Sequence, residues 1–594
     1  MKKKAKRLIS ALLAATVVLG VGVGATGCGN SKKEERGLYV RRDGKKYDSS
    51  KTQINVYLYK AGYGEDWIYD YEEAFEKAYA NVSLEEGKKG VQVWHTGDMS
   101  SWTTTNMNQS PYDIFFFENE NYYNFLDGTL EDLTDIVKTT LPGESRTIED
   151  KLTDQQQNYF AVKQNGDTTG KYYALPHYYG TYGIVYNVDL FDKMGYYFDE
   201  NGKIIGEDNT TAGKSLGPDG KTGYDEKTNI DYSLDDGLPA TYKQFYDLCA
   251  YIKTYTGQTP LCWPGKYYEH HLLNLYDNLV AGYEGIDQMM LNYGFNEGVE
   301  TPVKATDLIE VDGNGNVTEL PETEINTSIS SRAARTEKLT DELRNSICSR
   351  SVHTMLSMPH SMQQKNGWYN KKAYTISYTH TDNQRDYLMY GTKLSKEKKT
   401  TAMLVDGPWW QTEAKAAFEN MVKDGGNEYS ANSRKFGWMP LPHADENKVG
   451  EKPVYSDYLK TFVCMKSGLG TRKRAAEEFI KFISTDEQLV AFTKSTGTLR
   501  GYKYDIERSD MTDMSYFTKS VINYVKGADV IYKFSGGKFY NANNDKLKYD
   551  TVYQTTISGS VYKNPAKVIR EKKTSAATWF NEYYKSLRDN LNWK

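Results

Sequence analysis

The chain has 594 residues, of which 39% are hydrophobic and 26% charged, and a formal net charge of −5. That length exceeds what one hydrophobic core supports, so two domains or more are expected. The acidic balance argues against nucleic acid as a partner, because phosphates need a basic face.

The N-terminus carries the clearest local signal. Lys2, Lys3, Lys4, Lys6 and Arg7 form a basic start, an uncharged run from Leu8 to Gly27 follows, and small residues lead into Cys28. This is the pattern of an export signal. A Cys at the cut resembles a bacterial lipobox, which implies that residues 1–27 are removed and that Cys28 is lipidated. Ala25 stands where Leu is usual in that motif. Losing residues 1–27 removes five positive charges and no negative ones, which takes the formal net charge from −5 to −10. The chain is therefore expected outside the cytoplasm, attached to the outer face of the cell membrane by its lipid alone. Residues 28–52 are polar, rich in Lys and Arg and without hydrophobic periodicity, and they read as a flexible tether.

Further along, Ile54–Tyr59 reads as a strand, and Trp67, Tyr71, Ala74, Phe75 and Ala78 follow at helical spacing. Val91–Trp94 reads as the next strand. Ile114–Phe117 is a continuous apolar run suited to a buried parallel strand. Strands alternating with helices imply an α/β fold. Residues 199–237 and 301–340 are polar and read as insertions, the second with a hairpin turn at Asp312–Asn316. That turn opens like a calcium loop, but Val317 stands where the Gly is needed and Thr323 where the Glu is needed. Ala476, Phe479, Ile480 and Ile483 share a helix face near the C-terminus.

Chemistry-bearing motifs are few. Gly213–Gly217 spells GxSxG, but it lies in a polar insertion without the strand and helix that a nucleophile elbow needs. There is no P-loop and no HExxH, and His270 and His271 are adjacent, poorly placed to share a metal. Cys249, Cys262, Cys348 and Cys464 are scattered without a metal or disulfide pattern; a Cys249–Cys262 bridge and buried free thiols both stay open. No cofactor and no metal are expected. The 50 Tyr against 20 Phe suit wet surfaces and polar ligands, since Tyr joins an apolar ring to a polar tip.

Several stretches, in order, resemble the family 1 extracellular solute-binding proteins, the maltose-binding-protein-like group. They are Tyr112–Phe117, Leu130–Thr134, Tyr173–Pro176 running to Tyr186–Phe191, Ala402–Trp409, Phe436–Pro442, Ala475–Phe482 and Phe492–Gly497. The resemblance implies two α/β domains, each a mainly parallel sheet flanked by helices, with a ligand cleft between them. Crossings are expected near Phe117, Asp406 and Lys466. The first domain then takes 53–117 and 407–466, and the second 118–406 and 467–594. The implied function is a non-enzymatic, monomeric binding protein that closes on a carbohydrate, an oligosaccharide by expectation, and delivers it to ABC permease subunits. A surface-anchored glycoside hydrolase is the alternative.

Aromatic residues beside Gly and Pro breaks, or at helix starts after predicted strands, are the expected site. A flat ring covers the apolar face of a sugar, while carboxylates, amides and Arg satisfy its hydroxyl rim. Trp409 or Trp410 is the expected platform, faced by Trp67, Tyr178 or Trp263, with Tyr179 also in the site. Asp66, Glu118, Asn119, Asp457 and Arg500 are the expected rim partners.

Overall fold

The computed structural model describes residues 44–60, 62–162, 169–294, 309–311, 317–319, 368–443, 446–457, 459–532, 555–557 and 560–562. Cys28 and the export signal lie outside them, as do Asp312–Asn316, Thr323 and Cys348. Residues 44–47, the described part of the N-terminal unit, hold no regular element. Residues 48–594 form a second unit, to which all that follows refers.

Its principal elements in chain order are β1 (Thr52–Tyr59), α1 (Asp66–Ala78), β2 (Val91–Asp98), β3 (Ile114–Phe117), β4 (Ala174–Pro176), β5 (Gly183–Asn187), α2 (Val188–Met194), α3 (Tyr242–Tyr251), β6 (Thr259–Cys262), α4 (Tyr268–Gly294), α5 (His380–Met389), β7 (Thr401–Asp406), α6 (Trp410–Glu413), α7 (Lys415–Gly425), β8 (Phe436–Met439), β9 (Val454–Ser456), β10 (Phe462–Met465), α8 (Lys473–Ile483), α9 (Asp486–Thr496), α10 (Tyr516–Lys526) and β11 (Asp529–Ile531). The class is α/β.

Two sheets organise these elements. The first has strand order β2-β1-β3-β10-β4, and the second β6-β7-β5-β8. Helices α1, α8 and α9 pack with the first sheet: α1 buries Trp67, Ile68, Tyr71 and Phe75, and α8 buries Ala475, Ala476, Phe479, Ile480 and Ile483. Helix α10 packs on β8 of the second sheet.

Both sheets are mainly parallel, as expected, and each holds a single reversed strand. In the first, β1 runs parallel to β2 and β3, but β10 is antiparallel to both β3 and β4. In the second, β6 and β7 are parallel while β5 runs against β7 and β8. The cause is connectivity. Strands β5 and β10 enter their sheets directly from the other half of the molecule, so they run against neighbours that lead toward the junction.

The crossings also differ from those expected. After Phe117 the chain stays with the first sheet: Tyr122 packs on Phe462, Leu130 bridges to Lys466, and β4 joins β10. The chain passes over at His177–Tyr182, between β4 and β5. After Asp406 it stays with the second sheet, which β8 completes, and it returns in the 457–461 segment between β9 and β10. It passes over again between α9 and α10. Thus the described residues of 118–176 and of 467–496 belong with the first sheet, so that no crossing falls at Lys466, and those of 407–456 belong with the second. Phe117 and Asp406 end strands, which is what a local reading detects; which sheet the next strand joins is decided by distant pairing.

The insertion at 199–237 is a fitted part of the second half. Asp231 N donates to Asn523 Oδ1 at 2.7 Å, Asn523 Nδ2 returns a bond to Asp231 O at 3.1 Å, and Lys526 Nζ reaches Thr228 O at 2.9 Å. Ile309–Val311 and Val317–Glu319 pair antiparallel. Cys249, Cys262 and Cys464 are free and buried, so Cys249 and Cys262 are not bridged. No helix among the described residues is long and apolar enough to cross a membrane.

Candidate functional site

The two halves meet where loops at the ends of β1, β3 and β7 lie against the crossing segments. The segments are laced together by backbone geometry. Asn119 N donates to Leu459 O at 2.7 Å, Leu459 N to Gly180 O at 3.1 Å, and Tyr178 N to Thr461 Oγ1 at 3.1 Å. Asn119 sits at φ +62° and Lys460 at φ +49°, a left-handed backbone that Asn tolerates better than most residues. Gly180 lies so close to the returning segment that a Cβ there would stand 2.5 Å from Leu459 Cβ and 3.1 Å from Asp457 Oδ1.

Aromatic rings from both halves converge on this junction. Tyr63, in the loop after β1, lies edge-on to Tyr178 at 4.6 Å and to Trp409 at 6.4 Å. Trp409 lies edge-on to Tyr182 at 4.9 Å, and Tyr182 to His271 at 5.2 Å. Trp409, 7% exposed, folds back over Gly407 and against Gly62.

Carboxyl groups from four segments join them. Glu118 accepts from the Tyr178 hydroxyl and, at 3.1 Å, from Asn119 Nδ2. Asp457 accepts from Lys460 N at 3.0 Å and Gly180 N at 3.4 Å. Asp406 accepts from Gly407 N at 2.8 Å and Gln384 Nε2 at 3.3 Å, and Gln384 also donates to Glu413. His380 Nε2 stands 3.9 Å from Glu413 Oε1. Burial pushes the Glu118 carboxyl up to about 7, with the Glu413 charge adding to it and the bonds from Tyr178 and Asn119 opposing. Burial likewise lifts Asp457 to about 7, against its two backbone bonds. Asp406 is held well above the carboxylate range by burial and then by Glu413. The physical cause is common: desolvation disfavours the charged form, and like charges reinforce it.

This carries a sign. A carboxyl raised in the folded state costs stability as pH climbs from its ordinary 4.5 toward 7, and that cost persists above. Glu118→Gln is therefore expected to melt above the parent at pH 8 and level with it near pH 4.5. The gain is at most about 3 kcal/mol before solvent screening. Paired melting curves at the two pH values check this; a variant that melts below the parent at pH 8 contradicts it.

The expected site residues divide. Glu118, Asn119, Tyr178, Asp457 and Trp409 come together at the junction. Asp66 lies at its rim, ion-paired across the halves to Lys415 at 3.3 Å. Tyr179 is buried just behind it, 3.5 Å from Gln156 Nε2. The other four do not reach the junction. Trp67 is core, packed on Phe116, His177 and Phe492 at 5.0–5.3 Å. Trp263 is buried against Tyr369 at 4.7 Å on the far face of the second sheet. Trp410 is fully buried among Tyr387, Phe418, Phe436 and Phe517. Arg500 is an internal strut, its guanidinium donating to Tyr71 OH at 3.3 Å and Pro176 O at 3.4 Å. Helix and strand starts look alike in sequence whether they face a cleft or a core, so the breaks beside these residues could not separate the two.

Sequence reasoning missed Tyr63, Tyr182, Gln384, Asp406, Glu413 and the α4 residues near Tyr182. Asp406 and Tyr182 had a signal, for each lies within a stretch that carries the resemblance. Gln384 and Glu413 had none, because each enters through a helix whose neighbours are set by tertiary packing. Among the described residues no group of three or more His, Cys, Asp or Glu side chains is arranged to hold a metal.

No family model matches the chain, and no curated protein matches it. Among solved structures it is similar to a chitin oligosaccharide binding protein, at 15% identity over 90% of this chain and 98% of that one, with a TM-score of 0.46. It is similar to maltose-bound MalE3 of T. maritima at 13% identity, over 91% and 100% of the two chains, with a TM-score of 0.46. Apo RafE from Streptococcus pneumoniae matches at 12% identity, over 92% and 99%, with a TM-score of 0.44.

Proposed function

We propose that this chain is a non-enzymatic binding protein for a carbohydrate, held at the junction between its two sheets. One observation carries the reading: Tyr63, Tyr178, Tyr182 and Trp409 converge there with Glu118, Asp406, Glu413 and Asp457, from both halves. Rings cover the C–H face of a sugar, and carboxyls and amides bond its hydroxyls. The ordered sequence motifs support the same reading.

Binding works by differential affinity. A ligand that touches both halves favours the arrangement in which they approach, by a hinge motion across the three crossing segments. The closed form then delivers an oligosaccharide to ABC permease subunits, with the chain tethered as a monomer by a lipid on Cys28 outside the cytoplasm.

The experiment is a thermal-shift screen against oligosaccharides. A ligand at about 100 times its Kd stabilises by roughly 2.7 kcal/mol. A clear upward shift with at least one glycan, which is recovered intact after incubation, is the expected result. Cleavage of the bound glycan would point to the glycoside hydrolase instead, and silence across neutral and charged glycans would refute carbohydrate binding. The anchor has its own test. Cys28→Ala should release the protein into the medium or leave it unprocessed. If that variant stays firmly on the membrane with residues 1–27 removed, the lipid is not what holds it.

A further inference from the structure

We propose that this junction admits only glycans without acidic groups, and that Glu118 of the first half and Glu413 of the second turn anionic sugars away. The inference rests on the carbohydrate reading above and goes further, to the class of carbohydrate.

The ionisable groups that face the junction are one-sided. Glu118, Asp406, Glu413 and Asp457 come from four separate segments, and none forms an ion pair with Lys or Arg among the described residues. Their bonds come from neutral donors: Tyr178, Asn119, Gln384 and backbone N–H groups. The nearby cations are otherwise engaged. Arg500 is turned to Tyr71 and Pro176, Lys415 pairs with Asp66 at the rim, and Lys460 lies in the field of both Glu120 and Asp457. Among the described residues His380 also stands near Glu413, and it is positive only when protonated. A carboxylate or sulfate placed here would lose its water shell and meet like charge, with no guanidinium or ammonium among the described residues turned to receive it.

The opposite wall fits uncharged hydroxyls. On α4, His271 and Asn278 face the crossing segments. His271 Nδ1 reaches Val405 O at 3.1 Å, and Asn278 Nδ2 reaches Tyr182 O at 2.5 Å while its Oδ1 accepts from Ser456 N at 2.6 Å. Between them on the same helix face lies Asn274, 1% exposed, with neither side-chain atom bonded. Burial holds His271 down at about 3 and His270 at about 4, so both rings are neutral at physiological pH. Amides and neutral imidazoles donate and accept in turn, as hydroxyls do. A buried amide without partners is costly until something bonds it, and a sugar hydroxyl has the matching chemistry.

A printed array of neutral, amine-bearing, uronate-bearing and sulfated oligosaccharides tests this with the full protein at pH 7.5. Signal confined to neutral and amine-bearing glycans is expected. Calorimetry then compares the strongest neutral binder with its uronate counterpart, expected to bind at least about tenfold more weakly. Glu118→Gln and Glu413→Gln, each checked by melting for folding, should narrow that ratio several-fold. Equal or tighter binding of the uronate, or an unchanged ratio in both folded variants, overturns the inference and leaves carbohydrate binding standing. No signal from any glycan class overturns both.

Discussion

Trp410→Ala is expected to cost about 3–5 kcal/mol of stability, whereas its neighbour Trp409→Ala should leave the apo protein close to the parent and weaken glycan binding. The two residues are adjacent in sequence and opposite in role. Trp410 is fully buried and touches four other rings of the second half, so truncation leaves a cavity that the surrounding helices cannot fill. Trp409 lies at the junction on Gly407 and Gly62 and beside Tyr182 and Tyr63, where the proposed hinge motion would rehydrate its site. Losing that ring should cost on the order of 1–3 kcal/mol of binding, about 5- to 150-fold in Kd. Thermal melts and calorimetry on both variants decide it. If Trp409→Ala folds normally and binds the identified glycan at full affinity, the ring is no platform.

Gly407→Ala should reproduce the Trp409→Ala binding defect without touching the indole chemically. A Cβ at Gly407 would stand 2.1–2.3 Å from three carbons of the Trp409 ring, so the ring must leave. The displacement also breaks its contact with Gly62, where a Cβ would already come within 2.9 Å of Trp409 Cδ1. Overpacking of this kind costs typically about 1–3 kcal/mol, and here most of it is relieved by swinging a ring that lies at the edge of the junction. The stringent form is a double-mutant cycle. If the glycine acts through the tryptophan, Gly407→Ala adds little to the affinity loss of Trp409→Ala, whereas independent sites would add fully. Additive losses would show that Gly407 serves the site by another route.

The sequence by itself determined the α/β class, the strands at Ile54–Tyr59 and Ile114–Phe117, and the first-half helix that buries Trp67, Tyr71 and Phe75. It did so because hydrophobic periodicity and Gly or Pro breaks are local, and a strand or helix must form them wherever it ends up. It also marked Glu118, Asn119, Tyr178, Trp409 and Asp457, each of which follows a strand or lies on a segment between strands. What it left open was partnership. Which sheet Phe436–Met439 or Ala174–Pro176 completes depends on residues hundreds of positions away, and so do the direction of Phe462–Met465 and the places where the chain crosses. The same holds for the tryptophans. Trp67, Trp263 and Trp410 have the same sequence signature as Trp409, a large ring beside a break or at a helix start. Only packing decides that three of them fill cores while the fourth meets Tyr63 and Tyr182 between the halves. Burial is a property of the assembled fold, because the atoms that exclude water from a side chain come from elements that the local sequence does not contain.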